Sequence, residues 1–354
     1  MTAWTDFLQR EGFTLEETGA ASLSAAATTT AGDCVIIPLP QLGVLHAAGA
    51  DAASYLHNLL SNEVQQLPAD GLVWNSLNTP KGRMIANFLL WPEVDAAAAS
   101  ADQPAAIRLL ASADLIAGLH KRLSMYILRS KVKLSDPAAK LAVFALCGAA
   151  AATLLASAGL PRPASDMSQC AEGGLRVLRL AADHFILIAD QDAAIRQFAA
   201  LQAAGAQKAG SRRWQLQLIR AGLALISEAV REEFVAQMIN FELTGGVNFK
   251  KGCYPGQEIV ARAQYLGKVK RRMYRLSSST PLAAEALPAA GSEIFNAAGE
   301  SVGKLVNAAP NTAGGIELLA VLQSSATEQA DAVLHLAQAD GPALQLQSLP
   351  YALP

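Results

Sequence analysis

Residues 244–276 spell TGGVNFKKGCYPGQEIVARAQYLGKVKRRMYRL, the most unusual segment of the chain. A Gly-Gly pair and Gly252 permit sharp backbone turns, because glycine has no Cβ to obstruct them. Pro255 suits the first position of a helix, and the residues after it have helical periodicity up to Gly267, which can end the helix. The pattern predicts a tight turn followed by a short helix, with Cys253 just before that helix.

Cys253 is the cysteine with a physical reason to be reactive. A helix N-terminus and neighbouring cations both favour a thiolate over a thiol, and Lys250 and Lys251 are adjacent in sequence. The alternative interpretation is that Cys253 packs as a small apolar residue beneath the turn. The sequence leaves both open.

The same segment concentrates positive charge. It holds eight Lys and Arg residues against one acidic residue, Glu258, in a chain whose formal net charge is −2. Such a patch favours an anionic ligand, for example a phosphate, RNA or a polyglutamate tail. The alternative interpretation is that these charges belong to an ordinary solvated surface. The candidate anion-binding residues are Lys250, Lys268, Lys270, Arg271 and Arg272.

Composition narrows the class of protein. The 354 residues are 52% hydrophobic and 16% charged, which predicts a folded chain of two or three domains. The N-terminus, MTAWTDFLQREGF, lacks the features of a signal peptide. None of the four cysteines forms a C-x-x-C pair, and the five histidines have no metal-ligand spacing. We expect a cytoplasmic protein with free thiols, no stably bound metal and no membrane span.

Working outward, the chain before the segment alternates helices and strands. Asp51 can cap a helix over DAASYLHNLLSNEV, and LVWNSLNTPKGRMIANFLLW predicts two strands around a Pro80–Gly82 turn. The uncharged stretch Leu141–Leu160 is as long as a membrane span, but its small residues predict a strand followed by a helix. Loops are expected at residues 20–32, 94–106 and 281–290.

After Lys268 the pattern changes to short alternating runs separated by turn residues, which is typical of a small antiparallel barrel. The predicted fold class is α+β. The predicted domains are an N-terminal arm with an Ala-rich loop at 1–32, an α+β module of two intertwined subdomains at 33–267, and a C-terminal β-barrel at 268–354.

The segment 234–272, FVAQMINFELTGGVNFKKGCYPGQEIVARAQYLGKVKRR, closely resembles the signature of the YgfZ family. These proteins are folate-binding relatives of the glycine cleavage T-protein, an aminomethyltransferase. The residues that carry the resemblance are Lys251, Gly252, Cys253, Tyr254, Gly256, Gln257, Glu258, Ala261 and Arg262. Weaker likeness extends over most of the chain from about Cys34.

The resemblance implies three subdomains around a central channel, with tetrahydrofolate or a one-carbon derivative in the channel. It implies a role in maintaining iron–sulfur enzymes, including enzymes that thiomethylate tRNA. The expected partners are iron–sulfur assembly proteins or client enzymes, with an indirect link to tRNA, and the expected state is a monomer. Cys253 takes the place of the signature cysteine.

Three further positions concern the folate contacts. Trp214 takes the place of a tryptophan that the family uses against folate, although as an aromatic residue alone it would more commonly fill the core. Leu42 stands where a second aromatic residue is expected. Arg220 replaces a glutamate that relatives often carry beneath the pterin, and an arginine cannot accept the pterin's hydrogen bonds.

One departure bears on catalysis. The T-protein has an acidic pair after its glycine turn, but the span from Asn78 to Trp91 holds no acidic residue, and Ile85 and Ala86 stand near the expected place. Without a carboxylate, proton transfer at the folate nitrogen has no obvious assistant. We therefore expect an accessory protein; the alternatives are a folate-dependent one-carbon transferase and a tRNA-binding module that uses residues 250–275.

Overall fold

A computed structural model describes residues 2–16, 19–23, 34–93, 106–137, 140–267, 269–281, 287–327 and 333–354. The chain forms two compact units, each assembled from separated segments. The first unit comprises Met1–His57, Glu63–Val73 and Phe88–Trp214, and the second comprises Asn58–Asn62, Trp74–Asn87 and Gln215–Pro354. The division into 1–32, 33–267 and 268–354 stays a prediction. Most residues of the three expected loops lie outside the described ranges, but Ala21–Leu23 is a strand.

The first unit contains most of the helices. They are α1 (Ala3–Arg10), α2 (Ala52–His57), α3 (Ala113–Ser124), α4 (Ala151–Ser157) and α5 (Gln191–Ala203), while α6 (Ser211–Arg220) continues into the second unit. Ser112 immediately precedes α3, but its side chain makes no capping hydrogen bond. Helix α2 was expected to reach Val64. It ends at His57, because the Ser61 hydroxyl and the Asn62 backbone N–H make hydrogen bonds outside a helix. They donate to the Gly246 carbonyl and to the Asn75 side chain.

The first unit takes in strands of three sheets, which have two, five and six strands. Its strands are β1 (Phe13–Leu15), β2 (Ala21–Leu23), β3 (Val35–Pro38), β4 (Leu42–Ala48), β7 (Ala106–Ser112), β8 (Lys133–Ser135), β9 (Leu141–Cys147), β10 (Ser168–Glu172), β11 (Leu175–Ala181), β12 (His184–Asp190) and β13 (Gln207–Lys208). The larger sheet has the order β10-β11-β12-β9-β3-β13, in which only the pairing of β13 with β3 is parallel. Strand β7 pairs with β4 and with Leu89–Glu93 of the long strand β6 (Met84–Glu93).

An aromatic cluster fills the core of the first unit. Trp4 and Phe7 of α1 lie 5.5 Å apart in a stacked arrangement, and Phe198 of α5 meets Phe7 edge-on at 5.6 Å. Phe144 of β9 closes the cluster. The prediction for residues 141–160 is confirmed as β9 followed by α4. Within the described ranges, no helix is both long and apolar enough to cross a membrane.

The second unit contains the predicted barrel. Its strands are β14 (Arg271–Ser278), β15 (Glu293–Asn296), β16 (Ser301–Pro310), β17 (Ile316–Gln323), β18 (Leu334–Leu336) and β19 (Ala343–Gln347). They close in the order β14-β17-β16-β15-β18-β19, with antiparallel pairing throughout. Every second residue of β17 from Ile316 to Leu322 faces a buried aliphatic core, because side chains alternate along a strand. The α+β class and the C-terminal barrel are confirmed.

The remaining elements of the second unit are strand segments, short 3₁₀ helices and one α-helix. Strand β5 (Val73–Asn78) and the first residues of β6 flank the Pro80–Gly82 turn, as predicted. Short 3₁₀ helices occupy Glu228–Val230, Ala236–Ile239 and Ser324–Ala326. Helix α7 runs from Gln257 to Tyr265, so it begins two residues later than the expected Pro255. Gly256 explains the delay, because its φ of +83° is left-handed and cannot belong to the helix.

Candidate functional site

The signature segment lies on a network of buried polar side chains in the second unit. Ser61 donates through its hydroxyl to the Gly246 carbonyl at 2.8 Å, and the Asn62 amide donates to the Gly245 carbonyl at 2.6 Å. Asn75 accepts from the Asn62 backbone N–H at 2.9 Å. Since buried polar groups need partners, these bonds fix the Gly-Gly turn in one position.

Gly256 of the signature and Gly82 of the Pro80–Gly82 turn allow the backbones of the turn and of the start of α7 to approach closely. A Cβ added to Gly256 would lie 2.5 Å from the Thr79 carbonyl oxygen and 2.7 Å from the Gly82 Cα. A Cβ added to Gly82 would lie 3.0 Å from the Cβ of Ile259. Both glycines also have positive φ. The turn and the helix start therefore approach each other backbone to backbone.

Lys251 is a buried structural cation. It is only 9% exposed, and its ammonium donates to the Leu60 carbonyl at 2.5 Å and lies 4.9 Å from the centre of the Tyr254 ring. Tyr254 is itself buried, and burial raises its pKa to about 12. The Lys251 side chain is thus engaged in the interior, and its effect on the Cys253 thiol stays a prediction.

Cys253 is exposed at the surface of this segment. All four cysteines lie in the described part of the chain, and the other three are buried or half-buried. Burial raises the pKa of Cys34 to about 12, and it also raises the pKa of Cys147 and Cys170. Cys253 lies four residues before the first residue of α7, so it is not at the helix terminus itself. Its accessibility is what separates it from the other thiols.

The rest of the signature divides between surface and interior. Gly252, Glu258 and Arg262 are exposed, whereas Gln257 is half-buried with its backbone N–H donating to the Tyr254 carbonyl at 3.1 Å. Gly252 has no atom within 4 Å of the position its Cβ would take. The exposed members surround Cys253 in sequence, and the buried members hold the segment in place.

The predicted basic patch is smaller than its sequence suggests. Arg272 is 7% exposed and pairs with the buried carboxylate of Glu242, and its guanidinium also donates to the Gln237 carbonyl at 2.9 Å. Burial raises the pKa of Glu242 although Arg272 opposes the shift. Arg272 is therefore not part of an anion-binding surface. Lys250, Lys270 and Arg271 are exposed as expected, and Lys268 lies outside the described residues.

The end of α6 is tied to the barrel within the second unit. Arg220 pairs with Glu317 of β17 at 2.6 Å, and Arg275 of β14 binds the same carboxylate at 3.1 Å. Burial acts to raise the pKa of Glu317, but the two guanidinium groups outweigh it and hold the pKa below its usual range. The Tyr351 hydroxyl donates to the Gly222 carbonyl at 2.7 Å, and a Cβ on Gly222 would meet that ring at 2.7 Å.

The proposed folate contacts fall in different units. Trp214 and Leu42 belong to the first unit and are 2% and 6% exposed. Arg220 belongs to the second, where its guanidinium is committed to Glu317. Position 220 offers no side-chain acceptor, because an arginine has none. The roles of Trp214 and Leu42 stay predictions.

The residues near the place of the expected catalytic acid are buried or hydrogen-bonded to other residues of the second unit. Ile85 and Ala86 are buried, and the amide of Asn87 donates to the Ala224 carbonyl at 2.7 Å while accepting from the Ile226 backbone N–H at 2.8 Å. Asn87 therefore bridges strand β6 and the chain after α6. No step of proton transfer follows from these residues.

Sequence reasoning missed two groups of polar residues. Asn75, Ser76 and Asn78 occur in a strand that is otherwise apolar, and a run of polar residues in a buried strand was the available signal. Glu93, at the end of β6, binds Arg108 at 2.6 Å and His46 at 3.1 Å in the first unit. These partners are distant in sequence, so spacing could not reveal them. In the described part of the chain, no three His, Cys, Asp or Glu residues could together hold a metal ion.

Comparison with known proteins supports the resemblance. The chain is 29% identical over 323 residues to the tRNA-modifying protein YgfZ of Yersinia pestis (strain Pestoides F), covering 90% of this chain and 92% of the relative. It is also 29% identical over 324 residues to the protein of the same name from Yersinia enterocolitica. No family model matches the chain.

A solved structure shares the fold. The glycine cleavage system aminomethyltransferase T from Bartonella henselae aligns with a TM-score of 0.76 over 98% of this chain and 96% of that protein, at 15% identity. The predicted T-protein-like fold is confirmed. The resemblance to the YgfZ family predicted from the signature is confirmed as well.

Gly256→Ala should destabilise the protein strongly. The new Cβ would collide with the Thr79 carbonyl and would force a left-handed alanine, at a cost of about 2–4 kcal/mol. Gly252→Ala is the matched control and should change the unfolding free energy by less than about 0.5 kcal/mol, since its Cβ meets open space. Urea unfolding measures both. Equal effects of the two substitutions would contradict the close approach.

Lys251→Met should also reduce stability, by about 1–3 kcal/mol, because it leaves the buried Leu60 carbonyl without its donor. Lys250→Met, one residue earlier on the surface, should be nearly neutral. Thermal unfolding midpoints of the two variants and the parent make the comparison. A neutral Lys251→Met would show that the interior contact contributes nothing.

Proposed function

We propose that this protein is a tetrahydrofolate-binding accessory factor that supports the assembly or repair of iron–sulfur enzymes. The proposal includes enzymes that thiomethylate tRNA among its clients, and it takes Cys253 as the reactive or partner-facing residue. Support comes from the likeness to relatives named tRNA-modifying protein YgfZ and from the aminomethyltransferase-like fold. The site of action is proposed to be the cytoplasm.

The observation that carries the proposal is the exposure of Cys253 on a rigid support. Gly256 and Lys251 fix the segment on either side of the thiol, while Gly252 next to it is open to solvent. A partner can therefore reach the sulfur without rearrangement of the fold. Because four ligands usually hold a [4Fe–4S] cluster, one thiol would contact such a cluster only together with groups from a partner.

The alternative of direct tRNA binding is less well supported. Arg272 and Lys251 are buried, and Arg275 is paired with Glu317. The cations of residues 250–275 that are described and exposed are Lys250, Arg262, Lys270 and Arg271. Phosphate neutralisation by so few cations gives only weak, salt-sensitive binding. An indirect link to tRNA through iron–sulfur enzymes needs no such surface.

A one-carbon transferase is also disfavoured. Asn87 is engaged at both amide atoms, and the span from Asn78 to Trp91 holds no acidic residue. Tetrahydrofolate, when bound, would supply a one-carbon group or a recognition element. This chain's own residues would contribute binding through Trp214 and Leu42, and we assign no catalytic step to them.

Cys253→Ser should abolish the cellular role. In a bacterial strain lacking its own homologous protein, the parent chain should restore the activity of a [4Fe–4S] enzyme and the level of thiomethylated tRNA. Cys170→Ser, which changes a half-buried thiol, should restore both equally well. The Cys253→Ser protein should be produced at the same level and unfold at the same temperature, yet fail in both assays. Full restoration by Cys253→Ser would overturn the role of this thiol.

Tetrahydrofolate should bind the purified protein under anaerobic conditions with a dissociation constant in the micromolar range, measured by calorimetry. Trp214→Phe should weaken binding about 3- to 10-fold if the indole contacts the ligand. Trp74→Phe provides the control, since Trp74 is a similarly buried indole that no proposed contact uses. Absence of saturable heat would remove folate from the proposal and leave the Cys253 prediction intact.

A further inference from the structure

The first unit contains a pocket that the proposed function does not use. Its volume is about 210 Å³, and it lies between the end of β6, the start of β9, the β10–β11 turn and the end of β12. Every lining residue belongs to the first unit. The volume is below that of typical drug-sized sites, so the pocket can hold only a small molecule.

The pocket has a surplus of positive charge. Arg108 and Arg176 both line it, together with one carboxylate, Glu93. Arg108 uses its Nε and one terminal nitrogen on Glu93, at 2.8 and 2.6 Å. These two contacts with the Glu93 carboxylate neutralise the charge of Arg108. Burial acts to raise the pKa of Glu93, but hydrogen bonds from His46 and Arg108 lower it to about 2, so Glu93 is ionised at neutral pH and remains paired.

Arg176 is the arginine that retains donors. Its nearest approach to Glu93 is 3.9 Å, which is too long for a hydrogen bond. One terminal nitrogen donates to the Gln169 side chain, and Gln169 is in turn anchored by donating to the Ala69 and Pro92 carbonyls. Arg176 is thus held in place by a fixed amide, and burial together with the nearby Arg108 lowers the pKa of its guanidinium although Glu93 opposes the shift.

The other walls of the pocket are apolar. Leu141, Leu175 and Ile188 line it beside Trp91. The indole N–H of Trp91 has no acceptor among the residues that the structure describes. A phosphate would require donors around several oxygens, whereas one guanidinium opposite aliphatic side chains matches a ligand with a single charged end.

We propose that this pocket binds a small organic carboxylate, whose carboxylate group pairs with Arg176 and whose apolar body packs against Leu141, Leu175 and Ile188. Arg108 is already paired with Glu93 and is not the partner of the ligand. The inference does not depend on folate or on Cys253, because it rests on residues of the first unit alone.

The probe for this site is 4-fluorobenzoate, titrated into the full-length protein and observed by fluorine NMR. Saturable binding is expected, and 4-fluorobenzamide, which has the same shape without the charge, should bind at least about tenfold more weakly. Arg176→Gln should weaken binding of the benzoate by a similar factor. Arg179→Gln is the matched control on the same strand, since Arg179 pairs with Asp166 and does not line the pocket.

In the titrations, three results would overturn the proposal. They are the absence of saturable binding, equal affinity for benzoate and benzamide, and equal loss of binding in Arg176→Gln and Arg179→Gln. Inorganic phosphate serves as a competitor. Displacement of the benzoate by phosphate at equal concentration would reject a carboxylate-specific site, whereas no displacement supports it. Unfolding temperatures of both variants establish that the comparison is made between folded proteins.

Discussion

The close approach of the Gly256 backbone to the Thr79–Gly82 turn constrains everything around the candidate site. With only 2.5 Å between the Thr79 carbonyl and the place of a missing Cβ, the start of α7 has one possible position. Lys251 and Tyr254, which precede α7, have buried side chains, and Cys253 between them is exposed at the surface. The buried hydrogen bonds of Ser61, Asn62 and Lys251 secure the other side of the same loop.

Burial also decides which charges are available. The signature segment looks strongly basic in sequence, but Lys251 and Arg272 form part of the interior and Arg275 shares a carboxylate with Arg220. In the first unit, the single carboxylate of Glu93 faces the guanidinium groups of both Arg108 and Arg176. The charge of Arg176 is therefore incompletely compensated. The number of Lys and Arg residues along the sequence therefore overstates the positive charge available at the signature segment. It does not reveal the positive charge at Arg176.

The sequence predicted those features that depend on local pattern or on a specific motif. The β5–β6 turn, the β9–α4 pair, α7 and the barrel follow from periodicity and turn residues, and the T-protein-like fold followed from the signature. The length of α2 was overestimated, since the polar bonds of Ser61 and Asn62 come from residues distant in sequence. The inward direction of Lys251 and the pocket at Arg176 were unpredictable for the same reason: both depend on tertiary contacts.

The shared carboxylate of Glu317 has a consequence for how this chain could have diverged. A glutamate at position 220 would face Glu317 as a like charge. The identities of residues 220 and 317 are therefore coupled, because a change at one of them alters the effect of a change at the other. An acid in place of Arg220 alone would create a repulsive pair, so the exchange requires a change at position 317 as well.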